Sequence, residues 1–77
     1  MKIRHDADVD ALSIVFRDRT VTTAELAEGI TAEYDARGQF VGLEVLDAAR
    51  RFGDPSVLSQ IVLEGLGPAV SPVARAR

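Results

Sequence analysis

The sequence predicts an α+β fold: an antiparallel β-meander of four to five short strands with a short helical turn and a C-terminal helix packed on the sheet. Three observations point there. Short apolar runs alternate with polar or Gly-containing turns from Lys2 to Leu46, the apolar spacing becomes helical after Asp47, and no internal repeat or second domain breaks the pattern. Residues 1–67 therefore read as one small domain, and 68–77, which lack periodicity, as a flexible C-terminal tail.

Lys2-Ile3-Arg4 opens the chain as a short edge strand. The acidic stretch that follows, His5 to Asp10, reads as a solvated turn in which Asp side chains bond neighbouring backbone N–H groups. Ala11 to Phe16 alternates as a strand, with Leu12, Ile14 and Phe16 on its inward face. After the polar turn at Asp18-Arg19, Val21 to Leu26 carries a weaker strand pattern, which Glu28-Gly29 ends.

Ile30 to Leu46 is the centre of the chain, two apolar runs joined by Asp35-Ala36-Arg37-Gly38. Asp is favoured at the first position of a type I turn, and a left-handed Gly after such a turn lets two strands leave with the right twist. If Asp35 opposes Gln39, Tyr34 faces Phe40 as an aromatic pair. Val41, Leu43 and Val45 then share one face, and Phe40 and Leu46 lie on the other. A strand apolar on both faces is usually covered on both, so one face is expected to meet a helix and the other a second subunit or a curled part of the sheet.

Asp47 to Phe52 offers an N-cap, good helix formers and basic residues near its end, and Gly53 stops it. Asp54-Pro55 opens a second helix, with Asp as cap and Pro at the first helical position. Val57, Leu58, Ile61 and Val62 form its apolar stripe, and Gly65, Gly67 and Pro68 close it. That stripe is expected on the sheet. Leu58 and Val62, with Phe40 and Leu46, are the candidate interaction residues.

Composition limits what such a domain can do. The chain has 77 residues, 47% of them apolar, so it holds a core and is not a disordered segment. A domain this small buries only about 60–65% of the surface its unfolded form exposes. Without cysteine, its stability rests on packing or on self-association. The longest apolar runs, Ile14-Val15-Phe16 and Ile61-Val62-Leu63, are far too short to span a membrane, and MKIRHDADVD is too charged for a signal peptide, so the expected location is cytoplasmic. The net charge of −3, or −5 once Arg75 and Arg77 are set aside, argues against a nucleic-acid partner.

Asp6, Asp8 and Asp10 resemble the first three ligand positions of a calcium loop, with His5 as a neighbouring donor. Counted from Asp6, however, Ala11 stands where such a loop needs Gly, and Arg17 where it needs a bidentate Glu. His5, the only histidine, reads as an exposed strand-end residue. A catalytic role would need a partner such as Asp6 or Asp8 beside it in a cleft. Ser13, Ser56, Ser59 and Ser71 lack the context of a nucleophile elbow, and there is no glycine-rich phosphate loop. In a regular register Glu33 and Glu44 fall on opposite faces of the hairpin. No catalytic residue and no cofactor is expected, and the chain does not read as an enzyme.

The segments Asp6-Ala-Asp-Val-Asp-Ala-Leu-Ser-Ile, Gly29-Ile-Thr-Ala-Glu-Tyr-Asp-Ala-Arg-Gly and Phe40-Val-Gly-Leu-Glu-Val-Leu-Asp-Ala-Ala resemble the small prokaryotic family known as domain of unknown function 2283, over roughly residues 2–52. The chain departs from that family's pattern at Ser13, where Tyr is usual. The resemblance implies a small antiparallel-sheet fold with no established activity, and proteins of this kind are sometimes found beside genes for small toxin-like proteins. Two functional readings follow. The first is an antitoxin-like protein-interaction module acting through its acidic surface, with itself as the expected partner (a homodimer or higher) and a small basic protein as a further one. The alternative is a small-ligand or divalent-metal-binding protein using Asp6, Asp8, Asp10 and His5.

Overall fold

A computed structural model describes residues 1–67. Five strands form one antiparallel sheet: β1 (Lys2–Asp6), β2 (Ala11–Val15), β3 (Thr22–Ala27), β4 (Ile30–Tyr34) and β5 (Phe40–Leu46). The spatial order is β1-β2-β5-β4-β3, which is not a plain meander. A β1–β2 hairpin and a β3–β4–β5 meander are joined edge to edge where β2 pairs with β5. β5 is therefore the central strand.

The β4–β5 turn forms as its residues dictate. Gly38 N–H donates to the Asp35 carbonyl at 3.0 Å, and the Asp35 carboxylate accepts from the N–H groups of Arg37 and Gln39, both at 2.9 Å. Gly38 has φ +78, which costs a residue without Cβ little. Tyr34 faces Phe40 as expected, with ring centroids 6.1 Å apart in an edge arrangement.

One residue later the register departs from the regular one. A β-bulge leaves Val41 without a partner on β4, so Glu33 pairs with Gly42 and Thr31 with Glu44. The Val41 carbonyl faces the other way and accepts from both Phe16 N–H (2.8 Å) and Arg17 N–H (3.2 Å). Two irregularities thus meet at Val41, the largest fully buried side chain. Phe16, expected inside beside Leu12 and Ile14, instead lies just past β2, partly exposed, with its ring 5.3 Å from Phe40.

The core occupies one face. Leu12, Val45 and Ala48 are buried together, with Ile3, Ile30, Leu43 and Leu58 packed against them. The short helix α1 (Ala48–Phe52) supplies Ala48 and ends at Gly53, which is left-handed as a C-cap should be. The Arg51 guanidinium fastens α1 to the β3–β4 turn by donating to the carbonyls of Leu46 (2.7 Å) and Glu28. A Cβ on Gly29, at the middle of that turn, would collide with this guanidinium.

The second helix is shorter than its sequence pattern predicts. Only a single 3₁₀ turn, Pro55–Ser59, forms, and residues 60–67 are not helical. Its start is as expected, with Pro55 at the first position and the Asp54 carboxylate accepting from Ser56 N–H at 3.0 Å. The apolar stripe does not reach the sheet: Leu58 meets the core, whereas Val57, Ile61 and Val62 are all about half exposed or more. Packing on an apolar face is what holds most short helices together, and here it is missing beyond one residue. The β-branched Val57, Ile61 and Val62 favour the extended chain instead. No helix among the described residues is long and apolar enough to cross a membrane. The expected tail at 68–77 lies outside the described residues.

Three carboxyl groups are held below their ordinary value of 3.8. At Asp10 the main cause is the backbone bond from Ala49, followed by the bond with His5; at Asp35 it is the backbone bond from Gln39; at Asp54 it is the bond from Ser56 N–H. Each group binds its proton more weakly folded than unfolded, so its contribution to stability is complete above the unfolded carboxylate range and is lost as pH falls through the lower folded values. Thermal melts should therefore show Tm dropping below about pH 4. Asp35→Asn should make that drop shallower, and an unchanged acid slope in the variant would rule Asp35 out as a source.

Candidate functional site

The face of the sheet opposite the core is the surface available for function. Pairing places Arg4, Ser13, Glu44, Thr31 and Glu25 in one row across it. Lys2, Val15, Gly42, Glu33 and Thr23 form the next row. Apart from Gly42, these residues are exposed or half-buried, and no helix among the described residues packs on them.

The bulge at Val41 decides the chemistry of this face. It shifts β5 by one residue against β4, and a shift of one moves a strand's side chains to the opposite face. Glu33 and Glu44, which a regular register would separate, consequently stand on the same side, and Glu25 on β3 joins them. Gly42 makes room for this arrangement: a Cβ there would run into the Glu33 carboxylate and crowd the Ile14 carbonyl. Thr20 Oγ1 donates to Glu33 Oε1 at a long 3.5 Å. Lys2 and Arg4 lie at the far edge, on β1, beside a cavity of about 380 Å³ also lined by Ser13, Val15 and Phe16. The face is acidic over β3–β5 and basic along β1.

The candidate interaction residues divide. Phe40, Leu46 and Val62 are 45–64% exposed. Leu46 belongs to the open face through its pairing with Ala11, and Phe40 sits at the bulged end beside Phe16 and Tyr34. Leu58 packs on the chain's own core.

The acidic loop serves structure. Asp6 Oδ1 accepts from Asp8 N–H at 3.0 Å, closing the turn between β1 and β2. His5 is not an exposed strand end. Its position opposite Leu12 puts it on the core side of β1, where its Nε2 lies 2.8 Å from Asp10 Oδ1. The Asp10 carboxylate also accepts from Ala49 N–H (3.0 and 3.1 Å), and its carbonyl accepts from Ala48 N–H (3.0 Å). Among the described residues no group of three His, Asp or Glu side chains is placed to hold a metal ion.

Asp10 is thus the side chain that caps α1. Asp47 occupies the N-cap position expected of it but makes no side-chain cap bond, and pairs with exposed Arg50 at 2.9 Å instead. Sequence reasoning missed this because cap and helix lie 39 positions apart. The one available signal was the acidic run itself, whose third carboxylate a local turn does not need.

No curated protein and no solved structure matches the chain. The model of one family, described as Protein of unknown function (DUF2283), matches residues 2–48, which span all five strands and end at the buried Ala48. The chain belongs to that family.

Proposed function

We propose that the chain is a cytoplasmic protein-interaction module, antitoxin-like in action, which binds a small basic protein through the acidic half of its open sheet face. The observation that supports this reading is the placement of Glu25, Glu33 and Glu44 together on the uncovered side of β3–β5. Their negative field speeds encounter with a cationic partner, while Lys2 and Arg4 on β1 repel it and so fix its orientation. Leu46 at the end of β5 supplies an apolar anchor for an otherwise polar interface.

The test is capture from the host's own lysate, with bound proteins identified by mass spectrometry against a tag-only control. A second bait carries Glu25→Lys, Glu33→Lys and Glu44→Lys together, its fold checked by circular dichroism. One small basic protein should be recovered in stoichiometric amount by the native bait and at least tenfold less by the reversed one. Recovery of self-copies alone, or of the same proteins by both baits, would overturn the reading.

A further inference from the structure

A second feature lies at the bulged end of the sheet, bordering the acidic face where Thr20 Oγ1 meets Glu33. The β2–β3 loop and the β4–β5 turn face each other across a cavity of about 450 Å³. Arg17 and Arg19 enter it from the loop and Arg37 from the turn, with Thr20 in the wall. In a chain of net charge −3, three arginines line one small space.

Among the lining residues one carboxylate answers them. Asp35 forms part of the lining, is only 6% exposed, and has its Oδ2 3.6 Å from Arg17 Nη1. Its Oδ1 is already committed to the N–H groups of Arg37 and Gln39. Arg17 Nη1 is further steadied by Gln39 Oε1 at 3.2 Å. The backbone bond from Gln39 above all, then that from Arg37 and the charges of Arg17 and Arg19, hold the Asp35 carboxyl below its ordinary value against the opposing effect of burial. Among the lining side chains the count is three positive charges against one negative, an excess of two, with Glu33 beyond the wall at Thr20.

We infer that this cavity is a binding site for a phosphate dianion, with Arg19 and Arg37, which make no ion pair among the described residues, as its two cationic arms and Arg17, held by Asp35 and Gln39, as its fixed base. A phosphate monoester carries about −1.5 to −2 charges at pH 7, which matches the excess. Arg is suited to the task because its planar fork donates two parallel N–H bonds to phosphate oxygens. Phosphate could arrive as the free ion or on a small phosphomonoester, and the two share this chemistry.

The inference is independent of the acidic face and is tested separately. Full-length protein labelled with ¹⁵N is titrated with inorganic phosphate, and in parallel with a nucleoside monophosphate, at ionic strength held constant with chloride. Saturable amide shifts confined to residues 17–21 and 35–39 are expected. They should weaken at least about tenfold in the Arg19→Gln, Arg37→Gln double variant, whose changes are both exposed and leave the turn's backbone bonds in place. Tighter binding of the monophosphate would identify an ester ligand, and equal binding the free ion. Shifts that stay linear, spread over the sheet, or persist unchanged in a double variant whose spectrum shows it folded would overturn the inference.

Discussion

Val41→Asp is expected to abolish cooperative folding, read as loss of amide dispersion and of the thermal transition. Val41 is fully buried on the central strand, at the β-bulge. An unpaired carboxylate there costs more than a domain of this size can lose, given a total stability of roughly 4–11 kcal/mol. Val41→Ala is the graded counterpart. It removes two methyl groups and leaves a cavity, for a loss of about 2 kcal/mol and a fall in Tm on the order of 10 °C. A variant at this site that melts within a degree or two of the native chain would show that the centre of the sheet is not where stability resides.

The second large effect concerns two aspartates with the same unusual backbone and opposite roles. Asp10 has φ 53 and Asp47 has φ 55, both in the left-handed region where an L-residue is strained. Asp10 repays the strain through its carboxylate, which meets His5 and takes a forked bond from Ala49 N–H, and through its carbonyl, which accepts from Ala48 N–H. Asp47 has only a surface pair with Arg50, which contributes little. Asp10→Ala should therefore lower Tm by several degrees and release α1, seen as faster amide exchange at Ala49. Asp47→Gly should instead be neutral or stabilising by up to about 1 kcal/mol. Equal losses in both variants would mean that the acidic loop does not hold the helix.

These two cases also mark how far residues can be read without a structure. The Asp35–Gly38 turn was legible because every bond in it is local, and the strand alternation around it followed from a period of two. The bulge at Val41 was not, since it depends on Phe16 and Arg17 reaching the same carbonyl from another strand. Missing it sorted Glu33 and Glu44 to opposite faces and hid the acidic surface. The helix at 55–64 was overestimated for a related reason: periodicity reports which side chains could pack together, and only Leu58 finds anything to pack on. The arginine cavity has no sequence pattern at all, being assembled from two segments that the strand order brings together.

That strand order also governs how the chain reaches its structure. Three of the four strand pairings join consecutive strands and can zip from their own turns, but the β2–β5 pairing links residues as far apart as Ala11 and Leu46. Closing a loop of roughly 30 residues costs about 3 kcal/mol of chain entropy before any contact rewards it. Two locally formed halves must therefore find each other, and their joining sets the folding rate. Until they do, the apolar edges of β2 and β5 are both exposed, so the interval before this one seam closes is when the chain is most open to pairing with the wrong neighbour.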